Sequence, residues 1–141
     1  MIRFIIPGAP QGKGRPRHTK AGRTYTPPET RAYEDLIRAC AAQAVQGTTS
    51  PGTLWQVSIW ALTARPKTRP EGVSSEVWKS GRQVLRRGKP DVDNIAKAVL
   101  DGCTGVIWGD DTQVVRVVVE RLMAAEGQEA GVMVAAQEVS G

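Results

Sequence analysis

Gly88-Lys89-Pro90-Asp91-Val92-Asp93-Asn94-Ile95-Ala96-Lys97-Ala98-Val99-Leu100-Asp101, closed by Trp108-Gly109-Asp110-Asp111, is the stretch on which the reading of this chain turns. Pro90 biases Lys89 toward extended backbone. Asp91-Val92-Asp93 continues as an extended piece, whose alternate side chains point the same way, so the two carboxylates share a face. From Asn94 the pattern turns helical. Ile95, Ala98, Val99 and Cys103 recur at helical spacing and form a packing face, with Asp93 as the expected N-cap. Lys97 then lies one turn beyond Asp93, and Asp101 a further turn along the same face. Thr104-Gly105 ends the helix, Val106-Ile107-Trp108 is apolar, and Gly109 turns the backbone so that Asp110-Asp111 meets the next strand.

Five of the fourteen acidic residues fall between 91 and 111, with Lys97 as the one basic residue among them. The rest of the chain is basic, at a net charge of +5. Residues 1–31 carry seven Lys/Arg against Glu29, and residues 65–89 carry eight against Glu71 and Glu76. An acidic island beside two basic blocks suits one chemistry best: carboxylates hold a metal ion, and metal and basic surface together handle phosphate.

Working outward, residues 113–123 read as an apolar strand with Arg116, Glu120 and Val118 on one side. After a turn at 127–131, residues 132–136 form a last strand, and the tail frays from Gln137. Upstream, 65–89 is a long basic connection containing a short helix within 74–85, capped by Ser75. A connection of this length in a compact domain points to function. Residues 53–62 are the clearest strand, with Trp55, Val57, Ile59 and Ala61 alternating toward a core. Residues 28–46 read as a helix with Ala32, Tyr33, Leu36, Ile37, Cys40, Ala41 and Ala44 on its apolar face, ended by Gly47. Glycines and prolines leave 9–25 without regular structure, with Tyr25 read as packing in preference to stacking on a base or sugar. Residues 1–6 are a short strand.

The 141 residues fit a single domain, 1–141, of α/β (α+β) class: a mixed sheet packed against helices. Cys40 and Cys103 form no disulfide framework, and His18 is the only histidine, so zinc spacing is absent and a reducing cytoplasm is expected. There is no signal peptide, and no apolar run approaches the ~18 residues of a membrane span.

Oxygen ligands of this kind suit Mg²⁺ or Mn²⁺. Such a site activates water and stabilises attacking and leaving oxygens, while Lys97 neutralises charge on the pentavalent phosphate or orients the water. An EF-hand is excluded, since Ile95 and Ala96 stand where Asp/Asn and Gly are required. Each residue also has a plainer reading. Asp93 serves as a cap as readily as a ligand. Asp101 reads as an exposed or capping carboxylate, Lys97 as a surface partner of Asp93, and one of Asp110 and Asp111 as a turn former.

With Lys89-Pro90-Asp91-Val92-Asp93-Asn94 through Asp101, then Gly105-Val106-Ile107-Trp108-Gly109-Asp110-Asp111-Thr112-Gln113-Val114, the chain resembles the RusA family of Holliday junction resolvases, often carried by phages and prophages. The N-terminal Pro7-Gly8-Ala9-Pro10-Gln11-Gly12-Lys13-Gly14-Arg15-Pro16-Arg17, followed by Tyr25-Thr26-Pro27, is a second match. The resemblance covers most of the chain. The loop before Lys89 is long, and 65–88 and the C-terminal tail are least constrained.

The resemblance implies metal ligation by Asp91, Asp93 and Asp111, a catalytic Lys97, a small α/β domain with a mixed sheet, and a homodimer whose two sites cut opposed strands, leaving 5′-phosphate and 3′-hydroxyl ends. Val117, Val119 or the first helix are the surfaces considered for dimerisation. The expected activity is Mg²⁺-dependent resolution of four-way DNA junctions in recombination and repair. Lys13, Arg15, Arg17, Lys20, Arg23, Arg86, Arg87 and Lys89 are the expected backbone contacts. Two alternatives stand beside it: a broader branched or flap nuclease, and a non-cleaving junction-binding module.

Overall fold

Trp55, Val57, Ile59 and Ala61 all turn one way from the central strand and are buried, as their alternation predicts. The computed structural model describes residues 1–47 and 49–140. Strands β1 (Ile2–Pro7), β4 (Leu54–Thr63), β5 (Val84–Leu85), β6 (Val114–Met123) and β7 (Gly131–Val139) form a five-stranded sheet in the order β1-β7-β4-β6-β5. Only the β4–β6 pair is parallel, so the sheet is mixed. A parallel pair needs a crossover, and helix α3 (Val92–Cys103) lies in the connection between β4 and β6.

Helix α1 (Pro28–Ala44) and α3 cover one face of the sheet. Tyr33, Ile37 and Ala41 of α1 meet Ile95, Ala98, Val99 and Cys103 of α3 over the inward residues of β1, β4 and β7. The helices cross closely because residue 102 is glycine: a Cβ there would lie 2.6 Å from Ile37 Cγ2. Trp108 closes the core beside Trp55, with ring centroids 6.3 Å apart, and its indole donates to Thr104 Oγ1 at 3.2 Å. No helix among the described residues is long and apolar enough to cross a membrane.

Several local expectations are corrected. Helix α3 begins two residues earlier than its pattern suggests, at Val92, with Asp91 as N-cap accepting from the Asn94 N–H. Asp93 is therefore in the first helical turn rather than capping it, and Asp91–Asp93 is not an extended pair. Either aspartate is a competent cap, so composition alone does not select between them. Gly109 has no left-handed backbone; Gly105 does, at φ 88°.

Residues 9–25 hold a small hairpin, β2 (Arg17–His18) with β3 (Thr24–Tyr25). The Thr19–Arg23 backbone bonds close it around Gly22, whose positive φ suits the turn. Tyr25 is exposed rather than packed. Within 74–85, α2 is only Ser75–Lys79 and is capped by Ser74, because Val84 and Leu85 are drawn into pairing with Met123 and Leu122. The tail does not fray at Gln137, since β7 stays paired with β4 through Val139. Cys40 is partly buried against the core, and Leu36 stands at its edge.

The basic connection is ordered by its own arginines. Arg65 stacks over Trp78, 4.0 Å from the ring centroid, and donates to the Trp78 carbonyl at 2.7 Å. Arg69 donates to the Val73 carbonyl at 2.7 Å, and Val73 is buried.

Candidate active site

The start of α3 carries the first pair of carboxylates. Asp91 sits at the N-cap because Pro90 ahead of it cannot continue a helix backwards, and its side chain satisfies an otherwise orphaned amide. Its carboxyl is held below the usual carboxylate range, first by a hydrogen bond with Asp93, then by Lys89 and the Asn94 amide. Lys89 Nζ lies 3.2 Å from Asp91 Oδ2. Asp93 and Lys97 both project from α3 one turn apart and are exposed. Lys97 has no ion-pair partner among the described residues, so its ammonium is not spent on a surface pair with Asp93.

The second pair lies at the entry to β6. Asp110 caps the 3-10 turn Asp111–Gln113, accepting from the Thr112 N–H at 2.9 Å. That bond, with the Thr112 hydroxyl and Asp111, holds the Asp110 carboxyl below its ordinary value. Gln113 fixes the turn from beneath. Its side-chain oxygen accepts from the Gly109 and Asp110 amides at 2.9 and 3.2 Å, and its nitrogen donates to the Thr53 carbonyl at 3.0 Å. Asp110 thus shapes the turn and Asp111 is left exposed beside it.

The two pairs do not form one cage. Among the described residues, no three His, Cys, Asp or Glu side chains converge closely enough to hold a metal ion. Asp91 and Asp93 are brought together. Asp111 instead borders an open cleft of about 490 Å³ with Lys13, Glu34, Asp101, Thr104, Gly109 and Asp110. The donor set still fits a hard divalent cation. Two neighbouring carboxylates supply anionic oxygens, and magnesium takes only one or two carboxylates besides waters and substrate phosphate. A cavity of about 640 Å³ lies on the sheet face away from the helices, lined by Ile5, Trp60, Met133 and neighbours. No acid lines it, so it is not the catalytic cleft.

The basic residues divide by how far they are engaged. Arg15, Lys20, Arg23 and Arg87 are exposed and without an ion-pair partner among the described residues. Arg17 pairs with Glu29 at 2.5 Å. Arg86 donates to the Glu71 carbonyl at 3.1 Å. Lys89 is 86% exposed beside Asp91. Lys13 is held between Glu34 and Asp101, at 2.6 and 2.8 Å.

Arg121 and Glu34 escape a reading of the sequence. Arg121 donates to the carbonyls of Arg86, Arg87 and Lys89 at 3.3, 3.1 and 2.8 Å, tying β6 to the segment that enters the site. Its signal is faint but present: it continues the side of β6 that carries Val117 and Val119, where a charge is out of place. Glu34 lies on the solvated side of α1 by pattern, and nothing local marks its partner twenty-one residues away.

A family model described as Endodeoxyribonuclease RusA matches residues 7–135. A curated relative, Uncharacterized protein YqaN of Bacillus subtilis (strain 168), is 30% identical over 130 residues, covering 89% of this chain and 89% of its own length.

Proposed function

The chain belongs to the RusA endodeoxyribonuclease family, and on that premise we propose that it is a divalent-metal-dependent nuclease that resolves four-way DNA junctions by paired phosphodiester hydrolysis during recombination and repair. The observation that carries this reading is the Asp91–Asp93 pair at the start of α3, with Lys97 exposed and unpaired one turn beyond. Two carboxylates this close repel unless a proton or a cation intervenes. An unpaired ammonium beside them has a ready use against phosphate.

Asp91 and Asp93 would hold Mg²⁺ or Mn²⁺; Asp111, which does not converge with them among the described residues, is the third ligand that the family resemblance implies. When bound, the ion supplies Lewis acidity at the phosphoryl group and a water of lowered pKa. Asp91 is an anion at neutral pH, as an ordinary aspartate is, and so is ready to ligate. Lys97 places positive charge where the phosphorane becomes more negative, which stabilises the transition state more than the ground state. Asp110, committed to the Thr112 amide, orients the turn that presents Asp111. Arg15, Arg17, Lys20, Arg23, Arg86, Arg87 and Lys89 fix the DNA backbone relative to this centre. Hydrolysis leaves 5′-phosphate and 3′-hydroxyl ends.

Two opposed cuts need two sites, which a twofold homodimer supplies. The sheet face bare of helices supports this, since it presents Ile5 and Val118 to solvent at 63% and 46%. It is a better candidate than Val119, which packs on the core, or than α1, whose apolar face is spent on α3.

The test is cleavage of a four-way junction, a flap and a linear duplex of shared sequence, with and without Mg²⁺. Metal-dependent cutting of the junction in preference to the other two is expected. Equal cutting of flap and junction indicates the broader branched-DNA nuclease. Binding without cutting, and no calorimetric Mn²⁺ signal sensitive to Asp91→Asn, indicates the non-cleaving module.

A further inference from the structure

We propose that Lys13 is a positioning residue that locks the Gln11–Gly14 strap against the start of α3, rather than a contact to DNA phosphate; the catalytic part of this inference rests on the nuclease reading above. The strap is anchored at each of three consecutive residues, Gly12 to Gly14. Gly12 packs so closely that a Cβ would lie 2.9 Å from Asn94 Cβ and 3.0 Å from Pro90 Cβ. The Lys13 N–H donates to the Asn94 carbonyl at 3.1 Å. The Gly14 N–H donates to Thr30 Oγ1 at 3.1 Å, and a Cβ on Gly14 would collide with that oxygen.

Pro90 and Asn94 bracket the Asp91–Asp93 pair, and Asn94 also supplies the amide that Asp91 caps. The strap therefore bears directly on the residues that place the carboxylates. An ionic tie adds to these backbone anchors. Lys13 Nζ bridges Glu34 of α1 at 2.6 Å and Asp101 of α3 at 2.8 Å, with only 27% of its side chain exposed. One ammonium between two carboxylates is a cluster of net charge −1, which repels a phosphate. The exposed, unpaired Arg15, Lys20 and Arg23 are differently placed. A shift of the carboxylate pair by about 1 Å degrades alignment with the scissile phosphate, an effect worth up to about 100-fold in rate.

The full-length Lys13→Met and Glu34→Gln variants are compared with the parent in three measurements. Amide exchange across residues 90–97 is followed without DNA. Junction affinity is measured against salt. The single-turnover rate is measured at saturating junction with Mg²⁺. Both variants should exchange faster over 90–97 and cut at least tenfold more slowly. Lys13→Met should keep the parent's slope of log affinity on log salt. A Lys13→Met slope shallower by about 0.9, with exchange unchanged, overturns the proposal and makes Lys13 an ordinary phosphate contact. Unchanged exchange in Glu34→Gln overturns it too, and that variant serves if Lys13→Met does not fold. A junction left uncut by the parent counts against the nuclease reading, while the exchange measurement still decides whether Lys13 locks the strap.

Discussion

Arg121, on β6, donates from Nη2 to the carbonyl of Lys89 at 2.8 Å, while Nη1 reaches the carbonyls of Arg86 and Arg87. Gly88 makes the approach possible, for a Cβ there would lie 2.9 Å from Arg121 Nη2. One planar fork holds three carbonyls of the 86–89 segment, a task for which lysine has the charge but not the geometry. Arg121→Lys should therefore lower the single-turnover cleavage rate by about 100-fold while the far-ultraviolet spectrum stays that of the parent. A rate within twofold of the parent's would show that the fork does not place the site.

Gly102 and Ile37 mark where α3 and α1 come closest. Alanine at 102 gains about 1 kcal/mol of helix propensity. It also drives a methyl to 2.6 Å from Ile37 Cγ2 and 3.3 Å from the Glu34 carbonyl oxygen, and the backbone cannot move aside. Overpacking of this kind costs about 1–3 kcal/mol. Gly102→Ala should lower the urea midpoint, with the slope of the transition unchanged; a raised midpoint would mean the crossing has slack.

Asp91 contributes to the pH dependence of stability. Its folded-state pKa lies below the ordinary value, so its contribution is present above the unfolded carboxylate pKa and is lost as pH falls through the lower folded value. Asparagine also caps helices well, so Asp91→Asn keeps the capping bond without the titration. Urea unfolding between neutral pH and pH 3 should show the parent losing more stability than Asp91→Asn. Parallel curves would contradict the assignment.

Burial pushes the Cys103 thiol up to about 12, whereas Cys40 is only partly covered. The thiolate is the nucleophile in alkylation, so Cys103 is protected twice, by access and by protonation. Iodoacetamide at pH 8 should add one carbamidomethyl group to the folded protein, at Cys40, and two after unfolding. Rapid native labelling of Cys103 would indicate that α3 opens away from the sheet.

The alternation in β4 and the helical spacing of Ile95, Val99 and Cys103 are visible in the sequence because one periodic pattern decides each of them. The cap of α3 is not, because Asp91 and Asp93 are equally good caps and only the local backbone chooses. The aspartates, Lys97 and the basic blocks stand out as residue types in a spacing. What they are joined to does not. The Lys13–Glu34–Asp101 cluster and the Arg121 fork each span twenty or more residues of chain, and only the fold brings their members together. The same holds for β5, where two residues become a strand solely because β6 offers a free edge.

Incubation of a mobile four-way junction with the parent protein and with Asp93→Asn, in Mg²⁺, is the decisive assay for metal-dependent resolution. Paired nicks in opposed strands are expected from the parent. None are expected from Asp93→Asn, which should still fold and still bind the junction, since Asp91 and not Asp93 caps α3. An uncut junction with the parent, or equal nicking by both proteins, would contradict that assignment.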